Sequence, residues 1–318
     1  MKKIFITGAN GFVGRLLAST MALDNTATIL RSTRSNTCND GDISVDFSKA
    51  FNIANHLSEV DVIIHCAARV HVMNDNADDP LAAFRAVNTQ GTLRLAQQAA
   101  ESGVKRFIFI SSIKVNGEST EIGRPFTPHD NHIPVDPYGL SKYEAEAGLR
   151  EIAQQSGMEV VIIRPPLVYG PGVQGNFLSM LKWMNKGLPL PLGGIADNKR
   201  SLVSLSNLVD LIITCIKHPN AANQTFLVSD DHDLSTTQLL AYIAQALKVS
   251  KRLLPIPSSW LKLGAKLVNK PAISERLCGS LQVDISHTKE LLNWAPPNSQ
   301  EASLRETANH FLAHHQKK

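Results

Sequence analysis

"KIFITGANGFVG", residues 3–14, decides the fold. An apolar run rich in Ile and Phe passes without a linker into glycines at positions 8, 11 and 14, and a helical pattern follows. Glycines there let a chain turn tightly after a strand and approach a pyrophosphate, whose charge is met by the amides and dipole of the helix N-terminus. A glycine triplet alone says little. Set between the first strand and the first helix, it stands in the context that mechanism demands. The cofactor-facing residues expected from this loop are Gly8, Gly11, Phe12, Val13 and Gly14.

Outward from this unit the pattern repeats. The runs "ATILR" (27–31), "VDVIIHCAA" (60–68), "RFIFISS" (106–112) and "VVIIRPP" (160–166) are nearly continuous in apolar residues, as strands covered on both faces are. Between them, 81–102 and 138–156 carry apolar residues at helical spacing. Strand and helix in alternation predict an α/β fold, a doubly wound parallel Rossmann sheet. After about residue 170 the texture turns Gly- and Pro-rich, which predicts a smaller, irregular C-terminal substrate lobe. The expected division is 1–169 for dinucleotide binding, with segments near 201–229 returning to it, and 170–318 mainly for substrate. Candidate strands there are 201–205 and 225–229, and candidate helices 207–217, 235–248, 258–268 and 303–315. The stretch "SSWLKLGAKLVNK" (258–270) is basic and amphipathic; a packed surface helix is the preferred reading over one lying on a membrane.

The chain has 318 residues, 43% hydrophobic and 19% charged, with a net charge of +4 and no long basic run, which suits a small anionic ligand better than nucleic acid. Cys38, Cys66, Cys215 and Cys278 form no C-x-x-C pair, against a zinc site or a disulfide framework. The N-terminal apolar run is too short for a signal-peptide core, and no stretch reaches transmembrane length, so no membrane insertion and a cytoplasmic location are expected.

The chemistry gathers at two places. "FISS" ends the fourth predicted strand with Ser111 and Ser112 at the carboxyl edge, where such sheets bind ligands. In "DPYGLSKYEAE" (136–146), Tyr138 and Lys142 are four apart, one face of a helix, where an ammonium can pull down the pKa of a phenol. Ser112, Tyr138 and Lys142 can thus converge as catalytic residues: Ser112 on the reacting oxygen, Tyr138 exchanging its proton, Lys142 tuning Tyr138 and holding the cofactor ribose. Tyr143 has Ala147 four residues on and is a decoy. At the end of the second strand, Arg31, Ser32 and Arg34 stand where an acid would hold ribose hydroxyls, so the cofactor reading, NAD(H) or NADP(H), leans to NADP(H). His129 and His132 lack a third ligand at useful spacing and no metal is expected. His65 and Cys66 end a buried strand and read as packing.

The motifs "TGANGFVG", "VDVIIHCAAR", "VNTQGT", "FISSIKVNGE", "DPYGLSK" and "RPPLVYGPG" follow one another over the whole chain. Together they resemble the extended short-chain dehydrogenase/reductases, in the nucleotide-sugar epimerase/dehydratase branch. The resemblance implies that Asp46 and Phe47 contact the adenine, that Ala67 and Ala68 line the cofactor, that Asn88 is a structural residue behind the catalytic face and that Pro165 lies near the nicotinamide. It implies Asn176 and Arg200 at the diphosphate of a UDP-sugar, and a homodimer formed through helices 81–102 and 138–156. Two departures narrow the reaction. Ile113 and Lys114 replace the Asp-Glu pair of the dehydratases, against 4,6-dehydration, and Asn116 replaces the Tyr of the usual "VYG". "SSIKVNGE" is similar to O-antigen proteins described both as UDP-glucose or UDP-N-acetylglucosamine 4-epimerases and as 4-keto-6-deoxy-sugar reductases. The expectation is oxidoreduction at C4 of a UDP-linked sugar in surface polysaccharide synthesis, leaning to a 4-ketoreductase because of Arg31 and Arg34, with a 4-epimerase as the alternative. A non-catalytic dinucleotide-binding regulator is disfavoured, because such proteins typically lose the Tyr or Lys that this chain keeps.

Overall fold

A computed structural model describes residues 2–24, 27–34, 42–70, 79–130, 132–267 and 271–315; Cys38 lies outside them. β1 (Lys2–Thr7) runs at the centre of a parallel sheet, with β2 (Ala27–Thr33) and β3 (Asp42–Ser44) on one side. On the other side lie β4 (Val62–His65), β5 (Arg106–Ile110) and β6 (Glu159–Arg164). β7 (Leu167–Tyr169) and β8 (Leu202–Ser204) form a separate parallel pair, and β9 (Thr225–Leu227) returns to the sheet beside β6. The strand order β3-β2-β1-β4-β5-β6-β9 reverses direction between β1 and β4, and a crevice opens at such a point outside the carboxyl ends.

Strand alternation sends two sets of side chains to opposite faces. Ile4, Ile6, Ile64 and Ile108 pack with Leu17 and Met21 of α1 (Phe12–Asp24) and with a later helix carrying Leu208 and Ile212. Phe5, Ile63, Phe107 and Phe109 point the other way. They meet Leu57 of α2 (Ala54–Leu57), then a rod made of α3 (Pro80–Phe84), a π-helical stretch (Arg85–Gly91) and α4 (Thr92–Glu101), and finally α5 (Pro137–Ser156). α5 starts where it does because Asp136 caps it, accepting from the Gly139 amide at 2.9 Å, with Pro137 next. It stops at Gly157, which takes the left-handed conformation at φ +74°.

The C-terminal part contributes α6 (Gly175–Asn185), α7 (Leu205–Lys217), α8 (Thr236–Leu247), α9 (Ser258–Leu267), α10 (Pro271–Cys278), α11 (Ser286–Leu292) and α12 (Gln300–His314). Phe177 and Leu181 of α6, Leu240 and Ile243 of α8 and Phe311 of α12 enclose Tyr169 in their own core. A buried carboxylate ties this core to the sheet. Asp230 accepts from the Tyr169 hydroxyl (2.7 Å), the Ser204 amide (2.8 Å) and Asn207 Nδ2 (2.7 Å). Among the described residues, no helix is long and apolar enough to cross a membrane.

Several elements differ from the sequence reading. β3 is three residues long with no apolar run to announce it, so the strand that ends in "FISS" is the fifth. The 81–102 rod contains the π-helical stretch, and there Gly91 lies against Phe47, where a Cβ would meet the Phe47 carbonyl at 2.5 Å. α6, α10 and α11 were not foreseen, because Gly and Pro flank short apolar stretches there and mask the helical period.

A very close approach occurs at the first turn. A Cβ on Gly14 would lie 2.3 Å from the Gly8 carbonyl oxygen, a backbone atom that cannot swing aside. Gly14→Ala is therefore expected to lower the unfolding free energy by about 1–3 kcal/mol, the usual cost of forcing an extra methyl into a packed place. A urea midpoint shift without a change in slope is the check.

Candidate active site

The glycine loop is a cradle shaped by close backbone contact. Gly8 sits at φ +65°, and a Cβ on it would lie 2.8 Å from the Ala67 amide nitrogen, so the loops after β1 and β4 meet at the crevice. Gly11 differs. A Cβ there would meet just the Gly8 carbonyl, at 3.0 Å, so the mouth of α1 is otherwise clear. The first turn of α1 holds no acidic residue to compete for its amides. Phe12 packs on the core around Tyr169 and Val13 on the sheet core, so both contribute backbone rather than side chain to that mouth. The geometry fits a dinucleotide diphosphate.

Around the cradle, Ala67 is fixed by its amide donating to Thr7 Oγ1 (3.2 Å) and Pro165 by its carbonyl accepting from the Ile113 amide (3.0 Å); Ala68, next to Ala67 in the loop after β4, is half-buried. Phe47 is buried edge-on to His65 and Phe51, while Asp46 beside it accepts from the Ser48 hydroxyl and amide. These bonds hold the Asp46 carboxyl below its ordinary pKa, with the Arg34 charge adding to the effect.

The two arginines read from sequence as a 2′-phosphate site already have acidic neighbours. Arg31 Nε donates to Asp42 Oδ1 at 2.8 Å across the β2–β3 pair, and Arg34, exposed, acts on Asp46. The unforeseen β3 supplies Asp42, and this is why the arginines stood unopposed in the sequence reading. At the same strand end the Ser32 hydroxyl is buried without a hydrogen-bond partner among the described residues.

The sequence triad comes together at the carboxyl edge of β5. Ser112 caps a short 3₁₀ turn (Ile113–Val115), its oxygen accepting from the Lys114 amide at 3.2 Å, and its hydroxyl also acts on the Tyr138 phenol. Tyr138 lies edge-on to Phe84. Lys142 is fully buried one turn further on; its Nζ donates to the Ile110 carbonyl at 2.8 Å and lies 4.4 Å from the Phe109 ring centroid. The electrostatics correct one expectation. Burial pushes the Tyr138 phenol up to about 12, against the lowering by Ser112. Burial also pushes Lys142 down to about 7, against the pull of Cys66 and Glu146. In the protein alone the lysine does not lower the tyrosine's pKa, because the lysine is itself short of solvation.

Beneath the triad is a network that the sequence reading missed. Glu146, fully buried one turn after Lys142, accepts from Ser111 Oγ (2.6 Å), Arg164 Nε (2.9 Å) and Nη2 (2.6 Å), and Arg150 (2.9 Å). Arg164 Nη1 reaches Asn116 Oδ1 at 2.9 Å, and Asn116 Nδ2 donates to the Thr127 carbonyl at 2.7 Å. The signal was present: Glu146 lies at i+4 from Lys142, and Arg164 closes an otherwise apolar strand. Asn88, also fully buried, bonds both backbone groups of Arg69 (2.9 and 3.0 Å) and Ser141 Oγ (3.0 Å), which locks the loop after β4 to α5. His65 is wedged between the Thr7 and Thr92 hydroxyls at 2.7 and 2.9 Å; burial, with Lys142 adding to it, drives it down to about 3. Of the residues read as substrate contacts, Asn176 is exposed in the first turn of α6. Arg200 lies in the C-terminal part, its Nη1 donating to the Gly279 carbonyl at 3.1 Å.

A Rossmann sheet, a glycine cradle and a Ser-Tyr-Lys constellation define an enzyme of the short-chain dehydrogenase/reductase class, in its extended form. The profile of the NAD dependent epimerase/dehydratase family matches residues 4–229, and the chain belongs to that family. It is 51% identical over 314 residues to a UDP-glucose 4-epimerase of Vibrio cholerae, covering 98% of this chain and 96% of that one. It is 30% identical over 264 residues to an N-acetyl-alpha-D-glucosaminyl-diphospho-ditrans,octacis-undecaprenol 4-epimerase of Escherichia coli O157:H7, covering 81% and 77%. Its fold is that of the UDP-glucose 4-epimerase of Thermotoga maritima, solved with UDP-glucose, at a TM-score of 0.77 and 20% identity over 98% and 99% of the two chains.

The Lys142 shift makes stability depend on pH. Below about pH 7 the ammonium is charged in both folded and unfolded chains, and its burial opposes folding in full. Above about 7 the folded protein releases that proton while the unfolded chain keeps it up to the ordinary lysine value of 10.5, so stability rises through this window. Unfolding midpoints of the wild type minus those of Lys142→Met are expected to increase from about pH 7 to about pH 9, and a flat difference refutes the shift.

Proposed function

We propose that the protein is a UDP-hexose 4-epimerase, taking UDP-glucose or its N-acetylglucosamine counterpart, with NAD as resident cofactor. The observation that carries this reading is the near-full-length identity to the Vibrio cholerae UDP-glucose 4-epimerase, laid over the Ser112, Tyr138 and Lys142 constellation. It displaces the lean to a ketoreductase. That lean rested on Arg31 and Arg34, and Arg31 is taken by Asp42. An epimerase also has no need to exchange its cofactor with a reduced pool.

The residues that would hold NAD are Gly8, Gly11 and Gly14 with the amides of Phe12 and Val13, then Asp46, Phe47, Ala67, Ala68 and Pro165 along the crevice. Tyr138 and Lys142 would hold its nicotinamide end. Bound NAD supplies a reversible hydride acceptor for C4. Tyr138 takes the proton of the C4 hydroxyl and later returns one to the same oxygen. Ser112 accepts its cap bond from Lys114 and directs its own hydroxyl proton to the Tyr138 oxygen, from which it would turn to the C4 oxygen when substrate is in place. Lys142 in its charged form stabilises the phenolate. A ligand hydroxyl or phosphate that accepts from Nζ favours that form, raising the lysine's pKa from about 7 and drawing the phenol's down from about 12. Inversion requires the keto sugar to turn over between the two half-reactions, so it must be held by its diphosphate; Asn176 and Arg200 take that role in this reading. The same reading carries a cytoplasmic homodimer through α4 and α5, which pack side by side with Leu93 and Ile152 half-buried on them.

The test is interconversion of UDP-glucose and UDP-galactose, and of their N-acetyl forms, without added cofactor. Tyr138→Phe is expected to lose about 10²–10⁴-fold in turnover, the range for a general acid–base group, while keeping NAD bound. NADPH consumption with a UDP-4-keto-6-deoxy-N-acetylhexosamine, and no interconversion, restores the ketoreductase. For the cofactor, Arg31→Ala is expected to change NADH and NADPH affinities by equal factors in a fluorescence titration. A loss confined to NADPH assigns Arg31 to a 2′-phosphate.

A further inference from the structure

One face of the C-terminal part has a chemistry that neither the cofactor cradle nor the triad uses. It is built from the end of α6, the following loop to Gly194 and the segment from Lys251 into α9. The two segments are laced together by backbone bonds from Leu190 to Arg252 (2.9 Å), Leu254 to Leu190 (2.8 Å) and Gly193 to Leu254 (2.8 Å). They press so closely that a Cβ on Gly194 would lie 2.2 Å from the Ile256 carbonyl. On this face Trp183, Leu188, Leu254, Trp260 and Leu263 are exposed, Trp260 at 73% and Leu263 at 61%. Trp260 and Leu263 are three apart on α9, so the helix turns these two apolar residues outward.

The charge around them is mainly basic, with Asp197 and Glu275, both exposed, at its margins. From residue 234 to 274 the sequence holds six Lys and Arg and no Asp or Glu, and from 160 to 196 it holds no acid either. Lys182, Lys186, Lys251, Arg252 and Lys266 are exposed, and the Lys186 ammonium lies over the Trp183 ring at 5.4 Å. Tryptophan and leucine framed by lysines make a surface suited to the boundary between lipid headgroups and acyl chains, where the rings sit at the interface and the cations meet lipid phosphates. A second copy of this chain fits less well, because a two-fold contact would set these cations against one another.

We propose that this face docks the protein peripherally on an anionic phospholipid bilayer, with Trp260 and Leu263 entering the headgroup layer and the surrounding lysines and Arg252 pairing with lipid phosphates. The proposal does not depend on the sugar reaction, and it is scored without turnover.

The experiment is co-sedimentation of the full chain with vesicles of equal parts phosphatidylcholine and phosphatidylglycerol, against vesicles of phosphatidylcholine alone. The wild type is expected to pellet with the anionic vesicles and to be released as salt rises from about 0.1 M to 1 M, which shortens the Debye length from about 10 to 3 Å. Trp260→Glu/Leu263→Glu is expected to reduce partitioning at least tenfold with an unchanged melting curve. Lys251→Glu/Lys266→Glu, which leaves the apolar residues in place, should remove the salt-sensitive part. A wild type that stays in the supernatant at low salt overturns the proposal, as does an apolar double variant that pellets like the wild type. Sedimentation velocity in which that variant turns a dimer into a monomer also overturns it, by assigning the face to a second copy.

Discussion

A single carboxylate, Glu146, holds the catalytic geometry in register. It joins the end of β5 through Ser111 and the end of β6 through Arg164, and from within α5 it stands one turn from Lys142. A fully buried charge is costly unless paired and hydrogen-bonded, and removing one partner of such a pair typically costs about 3–5 kcal/mol. The same demand makes the arrangement specific. Sliding α5 along the sheet by one residue would strand both charges in the interior, whereas an apolar contact of equal area would tolerate the slip. Asn116 belongs to this device. Its amide oxygen accepts from Arg164 while its nitrogen donates to the Thr127 carbonyl, so one side chain ties the buried guanidinium to the loop at Thr127.

Above that anchor the site is deprived of charge. His65 is held neutral by burial and the Cys66 thiol is pushed up to about 12, so neither carries charge near neutral pH. Lys142, near 7, stands at the boundary. The consequence is a site whose charge depends on what occupies it: hydrogen-bond acceptors at Nζ draw the lysine to its cationic form, and the phenol follows. A Tyr-Lys pair close to neutral is cheaper to bury than a permanent ammonium and phenolate, and in the proposed reaction a bound ligand would draw it to its charged form.

The sheet and the triad were legible because they rest on local signals: continuous apolar runs, glycines between a strand and a helix, and the i, i+4 pair on α5. What the sequence hid was long-range pairing. β3 has no apolar pattern because it is a three-residue edge strand, and with it Asp42 was missed, so Arg31 read as an open cation. Glu146 and Arg164 are 18 residues apart and on different elements, and nothing in either segment names the other. The two outward apolar residues of α9, Trp260 and Leu263, show a related limit of periodicity. Periodicity shows that a helix has two faces but not which one meets the protein.

In the proposed epimerase reading, the C-terminal part has to hold a substrate while leaving its sugar free to turn, and the Asp230 tie bears on both. Tyr169 and Ser204, both bonded to Asp230, close the separate β7–β8 pair onto the sheet. The two positions read as diphosphate contacts follow closely from these ties: Asn176 opens α6 just after Tyr169, and Arg200 comes just before Ser204. β5 and α5, which carry Ser112, Tyr138 and Lys142, are locked separately by Glu146. In the proposed reading, two anchors on separate hydrogen-bond networks would hold the ends of a UDP-sugar without gripping its ring, a freedom that a 4-epimerase needs and a reductase delivering hydrogen to one face does not.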